Sequence, residues 1–325
     1  MIKRHVVVSF FALAYLITWP FHTLGFILAN NAGVSISNEH NFVHFFDLLT
    51  LRIDGNRLLA FLVYNIGQFG PVLAAFIITA IVYGRVGVRD LWGRVLKWRV
   101  APRWYLTVLL LPLIVLAAAL GAGFLSGGFA LGPFSTLLPW AYFVPFLLFM
   151  MVFTGFAEEP GWRGFALPHL QAKYSAARST WIVGVLWGLW HLPFAVYFNR
   201  ENPILLIPTL FGLTLGIVGW AMVTTWVYNN TGSVFMLILL HGWDNTARSY
   251  MILSQPNPLA ISLYGLLPWA VAIYLAKRYG DENLGPEPRP KWWPGRYNTQ
   301  QRGEATEQST TAEPTGMPAQ GAPAT

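Results

Sequence analysis

The strongest constraint on this chain is a series of long apolar runs, each about as long as a membrane-spanning helix. A helix of about 20 residues crosses the ~30 Å hydrocarbon layer, because it rises about 1.5 Å per residue. Lipid offers no water to unpaired backbone groups, and the runs lack the alternation of barrel strands, so helices are favoured. Eight runs qualify: 6–29, 58–83, 104–125, 136–157, 180–198, 204–228, 234–253 and 259–276. The sequence therefore predicts an all-α integral membrane protein with about eight transmembrane helices.

The composition excludes a water-soluble globular protein. Hydrophobic residues make up 55% of the chain and charged residues only 11%, against about 25% charged residues in an ordinary soluble domain. Cysteine is absent, which excludes a thiolate nucleophile and a cysteine-ligated metal site. From residue 280 the composition changes to Pro, Gly, Thr, Gln, Glu and Ala. We therefore predict a membrane domain over residues 1–279 and a disordered cytoplasmic tail over residues 280–325.

The basic residues predict the orientation of the chain. With eight spans, all but four of the 21 Lys and Arg residues fall on one side of the membrane. Arg52, Arg57 and Arg200 fall on the other side, and Arg248 lies within a span. Basic loops remain cytoplasmic, so we expect both termini in the cytoplasm, at a bacterial plasma membrane. The net charge is +7, but the basic residues form no single stripe with interleaved aromatics, so we expect no nucleic-acid partner.

Ionisable residues within the apolar runs are concentrated in one part of the chain. Each such residue costs about 2.5–3.5 kcal/mol on insertion scales, so its position is informative. The first three runs hold only His22, with the neutral residues Asn65 and Gln68. The segment from Glu158 to Arg248 instead holds two adjacent glutamates, an arginine, two histidines and an Asp-Asn pair. This clustering favours a common site over scattered polar contacts.

The first motif follows the run 136–157, with Arg163 expected in the cytoplasmic loop beyond it. If the helix continues past Pro160, Glu159 and Arg163 share a face and can form an ion pair. Glu158 then faces another direction and is a candidate general base. The alternative is a helix end at which both glutamates reach water.

The second and third motifs centre on histidines. Trp187 lies one turn before His191, so its ring can cover one side of the imidazole. His241 lies one turn before Asn245, so an N–H group from each can point at one oxyanion. Taken singly, each motif is better explained by hydrogen bonds between neighbouring helices. Taken together, the three motifs favour a catalytic site.

These motifs resemble the three signatures of the CAAX-protease and bacteriocin-processing family of intramembrane peptidases, which includes the type II CAAX prenyl endopeptidases. The signatures are Glu-Glu-x-x-x-Arg, Phe-x-x-x-His and His-x-x-x-Asn/Asp, and they correspond here to residues 158–163, 187–191 and 241–245. The resemblance covers residues 137–251. It implies an intramembrane endopeptidase with a polar cavity open toward the cytoplasmic side. Its partners would be the lipid bilayer and a peptide or protein substrate, with or without a lipid modification.

The resemblance also implies a role for each motif residue. Glu158 would activate the hydrolytic water, and His191 would help to position it. His241 and Asn245 would stabilise the tetrahedral oxyanion. Three further residues would support the site: Glu159, Arg163 and Trp187. Trp187 stands where the family usually has phenylalanine, which implies a narrower pocket.

The sequence leaves a metal requirement open. Glu158, His191 and His241 could together bind zinc and leave one position for water. However, the chain has no His-Glu-x-x-His motif, and a metal on His241 would remove its role as a donor. We therefore expect glutamate-dependent hydrolysis without a cofactor, with zinc as the alternative.

Two other functions are compatible with the sequence. A catalytically inactive membrane protein of the same fold, acting in self-immunity or as a scaffold, would keep the motifs as a polar network. An ion-coupled carrier would also place carboxylates and histidines within spans. Carriers usually have broken helices in corresponding halves, whereas the polar groups here lie in the second half, which disfavours this alternative.

Overall fold

The structure is a computed structural model that describes residues 5–126, 138–252 and 257–285. Every regular element in these ranges is a helix, which confirms the predicted all-α class. The α-helices are α1 (Val6–Asn31), α2 (Asn38–Leu49), α3 (Gly55–Gln68), α4 (Gly70–Val95), α5 (Pro102–Leu125), α6 (Phe143–Met150), α7 (Ala157–Gly161), α8 (Leu167–Gln171), α9 (Ala176–Trp190), α10 (Leu192–Phe198), α11 (Leu206–Thr231), α12 (Val234–Met251) and α13 (Pro258–Asn283). Two π-helices, Met151–Phe156 and Trp162–Ala166, connect α6 to α7 and α7 to α8.

Six helical segments in the described ranges are long and apolar enough to cross a membrane, and the bent pair of α9 and α10 makes a seventh if it is one span. An integral membrane protein is therefore confirmed, but the predicted count of eight spans is not. The predicted span 58–83 is divided at Phe69, where α3 ends and α4 begins. The predicted span 234–253 forms α12, and residue 253 lies outside the described residues. Helix α12 is not among the six candidate spans, because its polar residues make it less apolar than they are.

Helix α4 extends beyond its predicted end. Gly84 has a φ of 62°, in the left-handed region that favours glycine, and this kink marks the end of the apolar run. The residues that follow, expected as a loop from 85 to 103, continue as helix to Val95. Arg94 in this extension is buried and donates hydrogen bonds to the backbone oxygen of Gly164 at 2.6 Å and to the hydroxyl of Tyr228 at 2.8 Å. The extension therefore ties α4 to the segment that carries the first motif.

The first motif lies inside a helical segment and not at its end. The predicted span 136–157 continues without interruption through Trp140–Gln171, while its predicted start lies outside the described residues. Pro160 lacks an N–H group, and the helix accommodates this loss by π-turns on either side of α7. Arg163 is 1% exposed within this segment. The expectations of a helix end after residue 157 and of Arg163 in a loop were therefore wrong.

Two glycines bring the first and third motifs close together. A Cβ atom on Gly242 would lie 2.8 Å from the backbone nitrogen of Met151. A Cβ atom on Gly155 would lie 2.5 Å from the backbone oxygen of Ile238. Because neither glycine has a side chain, α12 contacts the π-helix Met151–Phe156 backbone to backbone. This contact sets the distance between the glutamates of the first motif and His241.

Helix α1 holds α3 against the motif-bearing helices. The Thr18 hydroxyl donates a hydrogen bond to the backbone oxygen of Gly67 at 2.7 Å, and the Trp19 indole donates to the backbone oxygen of Trp190 at 3.2 Å. These contacts place Gln68, the last residue of α3, beside α7. The N-terminal half of the chain therefore packs directly on the first motif.

The predicted boundary between the membrane domain and the tail falls near a break in α13. Gly280 has a φ of 72°, and the helix ends at Asn283. The Asn229 amide donates a hydrogen bond to the backbone oxygen of Asn283 at 2.7 Å, and Leu284 is fully buried. Residues 286–325 of the predicted tail lie outside the described residues.

Candidate active site

The Glu158 carboxylate lies in the protein interior and accepts three N–H hydrogen bonds. Its side chain is 3% exposed, so it does not face the acyl chains. Oε1 accepts from the Gln68 amide at 2.9 Å. Oε2 accepts from the indole of Trp162 at 3.2 Å and from the indole of Trp187 at 2.6 Å. Donors from three separate segments therefore fix the position of this carboxylate.

The Glu159 carboxylate joins the first motif to the third. Its Oε1 atom accepts hydrogen bonds from Nη1 of Arg163 at 3.1 Å and from Nδ1 of His241 at 2.9 Å. The ion pair predicted from the four-residue spacing is therefore present. The guanidinium group of Arg163 also lies 4.4 Å from the centre of the Trp187 ring, in a cation–π contact. Glu159 thus holds the imidazole of the third motif in a fixed orientation.

His191 lies at the bend between α9 and α10, and its ring is oriented by its own helix. Its Nδ1 atom is 2.9 Å from the backbone oxygen of Trp187. A carbonyl oxygen can only accept a hydrogen bond, so Nδ1 carries the proton and Nε2 keeps a free lone pair. His241 likewise uses Nδ1 for Glu159, which leaves its Nε2 atom available. The two imidazoles therefore present the same ring nitrogen to the site.

Trp187 is the residue around which the predicted catalytic groups meet. Its indole nitrogen donates to Glu158, and its backbone oxygen orients His191. The His241 ring lies edge-on to the Trp187 ring, with 5.7 Å between ring centres. The structure thus brings Glu158, His191 and His241 together around Trp187.

Asn245 lies one turn beyond His241 on α12 and makes contacts of its own. Its amide nitrogen donates to the Thr154 hydroxyl at 3.2 Å, and its amide oxygen accepts from Nη2 of Arg248 at 2.5 Å. These two contacts fix the orientation of the amide and leave one amide hydrogen for another acceptor. Thr154 lies on the same helical segment as Glu159, so His241 and Asn245 both bond to that segment.

Sequence reasoning did not assign four residues that contact the predicted site: Gln68, Thr154, Trp162 and Arg248. Two of them carried a signal, since Gln68 and Arg248 are polar residues within apolar runs. Their polarity alone does not indicate a site residue, because a polar residue in a span more often forms a hydrogen bond to a neighbouring helix than takes part in a site.

The side chains proposed as alternative zinc ligands do not fit a metal site in this arrangement. Among the described residues, no three His, Asp or Glu side chains are arranged to hold a metal ion. N–H donors already occupy three of the roughly four acceptor positions of Glu158. The expectation of hydrolysis without a cofactor stays a prediction.

A groove of about 450 Å³ lies between α9, α11 and α13, on another part of the molecule. Its lining includes Arg178, Trp181, Met222, Trp269 and Asp281. None of the four predicted catalytic residues lines this groove. The predicted polar cavity at Glu158, open toward the cytoplasm, therefore stays a prediction.

Comparison with known proteins supports the resemblance that the motifs indicated. Residues 139–247 match the family model for Rce1-like type II CAAX prenyl endopeptidases. The chain is also 30% identical over 164 residues to CAAX prenyl protease 2 of Methanococcus maripaludis, an alignment that covers 49% of this chain and 57% of the relative. The chain thus matches little more than half the length of that curated relative. The segment 139–247 contains all three motifs, and its similarity to the Rce1-like type II CAAX prenyl endopeptidases confirms the resemblance predicted from them.

Proposed function

We propose that this protein is an intramembrane endopeptidase that hydrolyses a peptide bond near the cytoplasmic face of the membrane. The observation that carries the proposal is the meeting of Glu158, His191 and His241 around Trp187 in the interior of the helical bundle. Ionisable side chains within membrane-spanning helices are costly, so their convergence from three helices favours a shared chemical task. The similarity of residues 139–247 to Rce1-like endopeptidases supports the same reaction.

In this proposal Glu158 activates the hydrolytic water. A carboxylate has about four acceptor positions, and N–H donors fill three of them here. The remaining position is on Oε1, which accepts only from Gln68. Water donates one hydrogen to Oε1 and the other to Nε2 of His191, which directs its oxygen toward the substrate carbonyl carbon. As the new C–O bond forms, the water proton moves to Glu158.

The third motif stabilises the charge that develops on the carbonyl oxygen. The donors are Nε2–H of His241 and the free amide hydrogen of Asn245. His241 needs a proton on each ring nitrogen for this role, and the adjacent Glu159 carboxylate compensates the resulting charge. When the intermediate collapses, the C–N bond breaks and the leaving amine takes the proton from Glu158.

The substrate class is tested directly with peptides. The relative is named a CAAX prenyl protease, so a fluorogenic peptide that ends in a prenylated Cys-a-a-X sequence is the first probe. We expect the purified protein, reconstituted in liposomes, to cleave it. Cleavage of the matched unprenylated peptide at an equal rate would show an endopeptidase that does not require the lipid. Failure to cleave either peptide, while the Methanococcus maripaludis relative cleaves one in the same assay, would overturn the proposal.

One observation favours the alternative of an inactive scaffold. The contacts of Glu158 and of Glu159 form two groups of hydrogen bonds between helices, which a structural role would also require. In a strain that depends on this protein, the double variant Glu158→Gln, His241→Ala distinguishes the two functions. Full complementation by that variant would support the scaffold, and loss of complementation at equal protein abundance would support the peptidase.

The indole N–H of Trp187 is expected to make a modest contribution to turnover. Trp187→Phe removes the donor to Oε2, while Trp162 still bonds to the same oxygen, so we expect kcat to fall about 3- to 10-fold. The matched control is Trp190→Phe, because Trp190 is 1% exposed and its indole nitrogen has no hydrogen-bond partner. Equal losses in the two variants would show that ring volume matters and that the hydrogen bond does not.

A further inference from the structure

One hydrogen bond to Glu158 comes from a part of the chain that carries none of the three motifs. Gln68 is the last residue of α3 and donates to Oε1 of Glu158 across 90 positions of sequence. Both side chains are buried, with 8% of Gln68 and 3% of Glu158 exposed. Gln68 also lies outside residues 139–247, which match the family model. The site therefore includes a contact that the matched segment cannot supply by itself.

The contact of Gln68 differs from those of the two indoles because it is made to the other oxygen. Trp162 and Trp187 both bond to Oε2, whereas Oε1 accepts from Gln68. The terminal torsion of a glutamate is broad, so donors on one oxygen leave the carboxylate plane poorly fixed. A donor on Oε1 fixes that plane and sets the direction of the remaining acceptor position on the same oxygen. Gln68 thereby controls where Glu158 can accept a proton.

The end of α3 is held in place by α1. Gly67 approaches α1 so closely that a Cβ atom there would lie 2.6 Å from Cδ2 of His22. The His22 ring is stacked on Tyr64 of α3, with 4.4 Å between ring centres. The Thr18 hydroxyl bonds to the backbone oxygen of Gly67. The position of Gln68 is therefore set by packing between α1 and α3, neither of which carries a motif.

We propose that Gln68 is a positioning residue for Glu158, and that the N-terminal helices α1 and α3 are part of the active site. The proposal rests on the proposed function for its effect on turnover. It requires that loss of the Gln68 amide lowers kcat more than it changes substrate binding, since Gln68 acts through Glu158 and not on the substrate.

The kinetic test compares Gln68→Met with Asn65→Leu in the reconstituted protein. Methionine keeps the length of glutamine but has no N–H donor. Asn65 lies one turn earlier on α3, is 7% exposed, and donates only to the backbone of its own helix. We expect Gln68→Met to lower kcat about 10- to 100-fold with KM changed less than about 2-fold, and Asn65→Leu to keep kcat within about 3-fold. Unchanged kcat in Gln68→Met, or equal losses in both variants, would overturn the proposal.

A thermal double-mutant cycle tests the contact without any assay of cleavage. Gln68→Met should lower the Tm of the protein in detergent by about 4 to 8 °C, because it leaves a buried carboxylate with one donor fewer. In a Glu158→Met background the same substitution should lower Tm by less than half as much. Equal shifts in both backgrounds would overturn the proposal. If the native protein cleaves no peptide, the proposed function fails, and the cycle still decides whether Gln68 holds Glu158.

Discussion

Glu158→Gln is expected to lower kcat for peptide cleavage by at least about 10³-fold and to leave KM within about 3-fold. General acid–base catalysis contributes about 10²–10⁴-fold, and here one group both accepts the proton of water and returns it to the leaving amine. Glutamine keeps the size of the side chain and one oxygen, which can accept from the two indoles, but its amide nitrogen replaces the oxygen that accepts from Gln68, and it cannot take up the proton. The loss is therefore expected in the chemical step and not in substrate binding.

The matched control for this variant is Glu201→Gln, which removes a carboxylate that is 88% exposed. Tm is measured for both variants, so that a loss of folded protein is not mistaken for a loss of catalysis. We expect Tm to fall by about 4 to 8 °C in Glu158→Gln, as in Gln68→Met, because both variants lose the hydrogen bond from Gln68. Cleavage by Glu158→Gln at one tenth of the native rate or faster would show that another group activates water.

His241→Ala and Asn245→Ala are each expected to lower kcat by about 10²–10³-fold. This is the usual cost of removing one donor from an oxyanion hole. The hydrogen bond to the oxyanion forms in the transition state, so KM should change little. If both donors bond to one oxyanion, the double variant should lose less than the product of the two single losses. The measurement is kcat at saturating substrate for the two single variants and the double variant.

His40→Ala is the control for this series, because His40 lies on α2 and bonds to Ser37 in its own turn. We expect it to keep native kcat. Single variants that reduce kcat by less than about 5-fold would contradict the oxyanion role. A double variant whose loss equals the product of the single losses would show that His241 and Asn245 contribute independently of each other.

The membrane character and the three motifs were accessible from the sequence because both depend on local patterns. A run of about 20 apolar residues forms a helix in lipid whatever its neighbours are, since its backbone groups must pair within the run. The spacing of Glu159 and Arg163 likewise predicted an ion pair, because residues four apart share one helix face. Those inferences required no knowledge of how the helices pack.

The predictions that failed concerned where helices end and break. The expected span 58–83 is divided at Phe69, and the helix that was expected to end after residue 157 continues to Gln171. Hydropathy reports the free energy of transfer into lipid, and it says little about a kink between two apolar segments. The π-turns around Pro160 satisfy backbone groups in a way that a regular helical repeat does not predict.

By itself, the sequence determined that this chain is a helical membrane protein in which the ionisable residues of the apolar runs are gathered in one segment, because burial in lipid penalises charge residue by residue. Only the tertiary structure decided that Glu159 holds His241, that Trp187 lies between the histidines and Glu158, and that Gln68 reaches the same carboxylate. These contacts join residues far apart in sequence, and they depend on close approaches such as that of Gly242 to Met151. Such approaches follow from the packing of whole helices, which no single segment specifies.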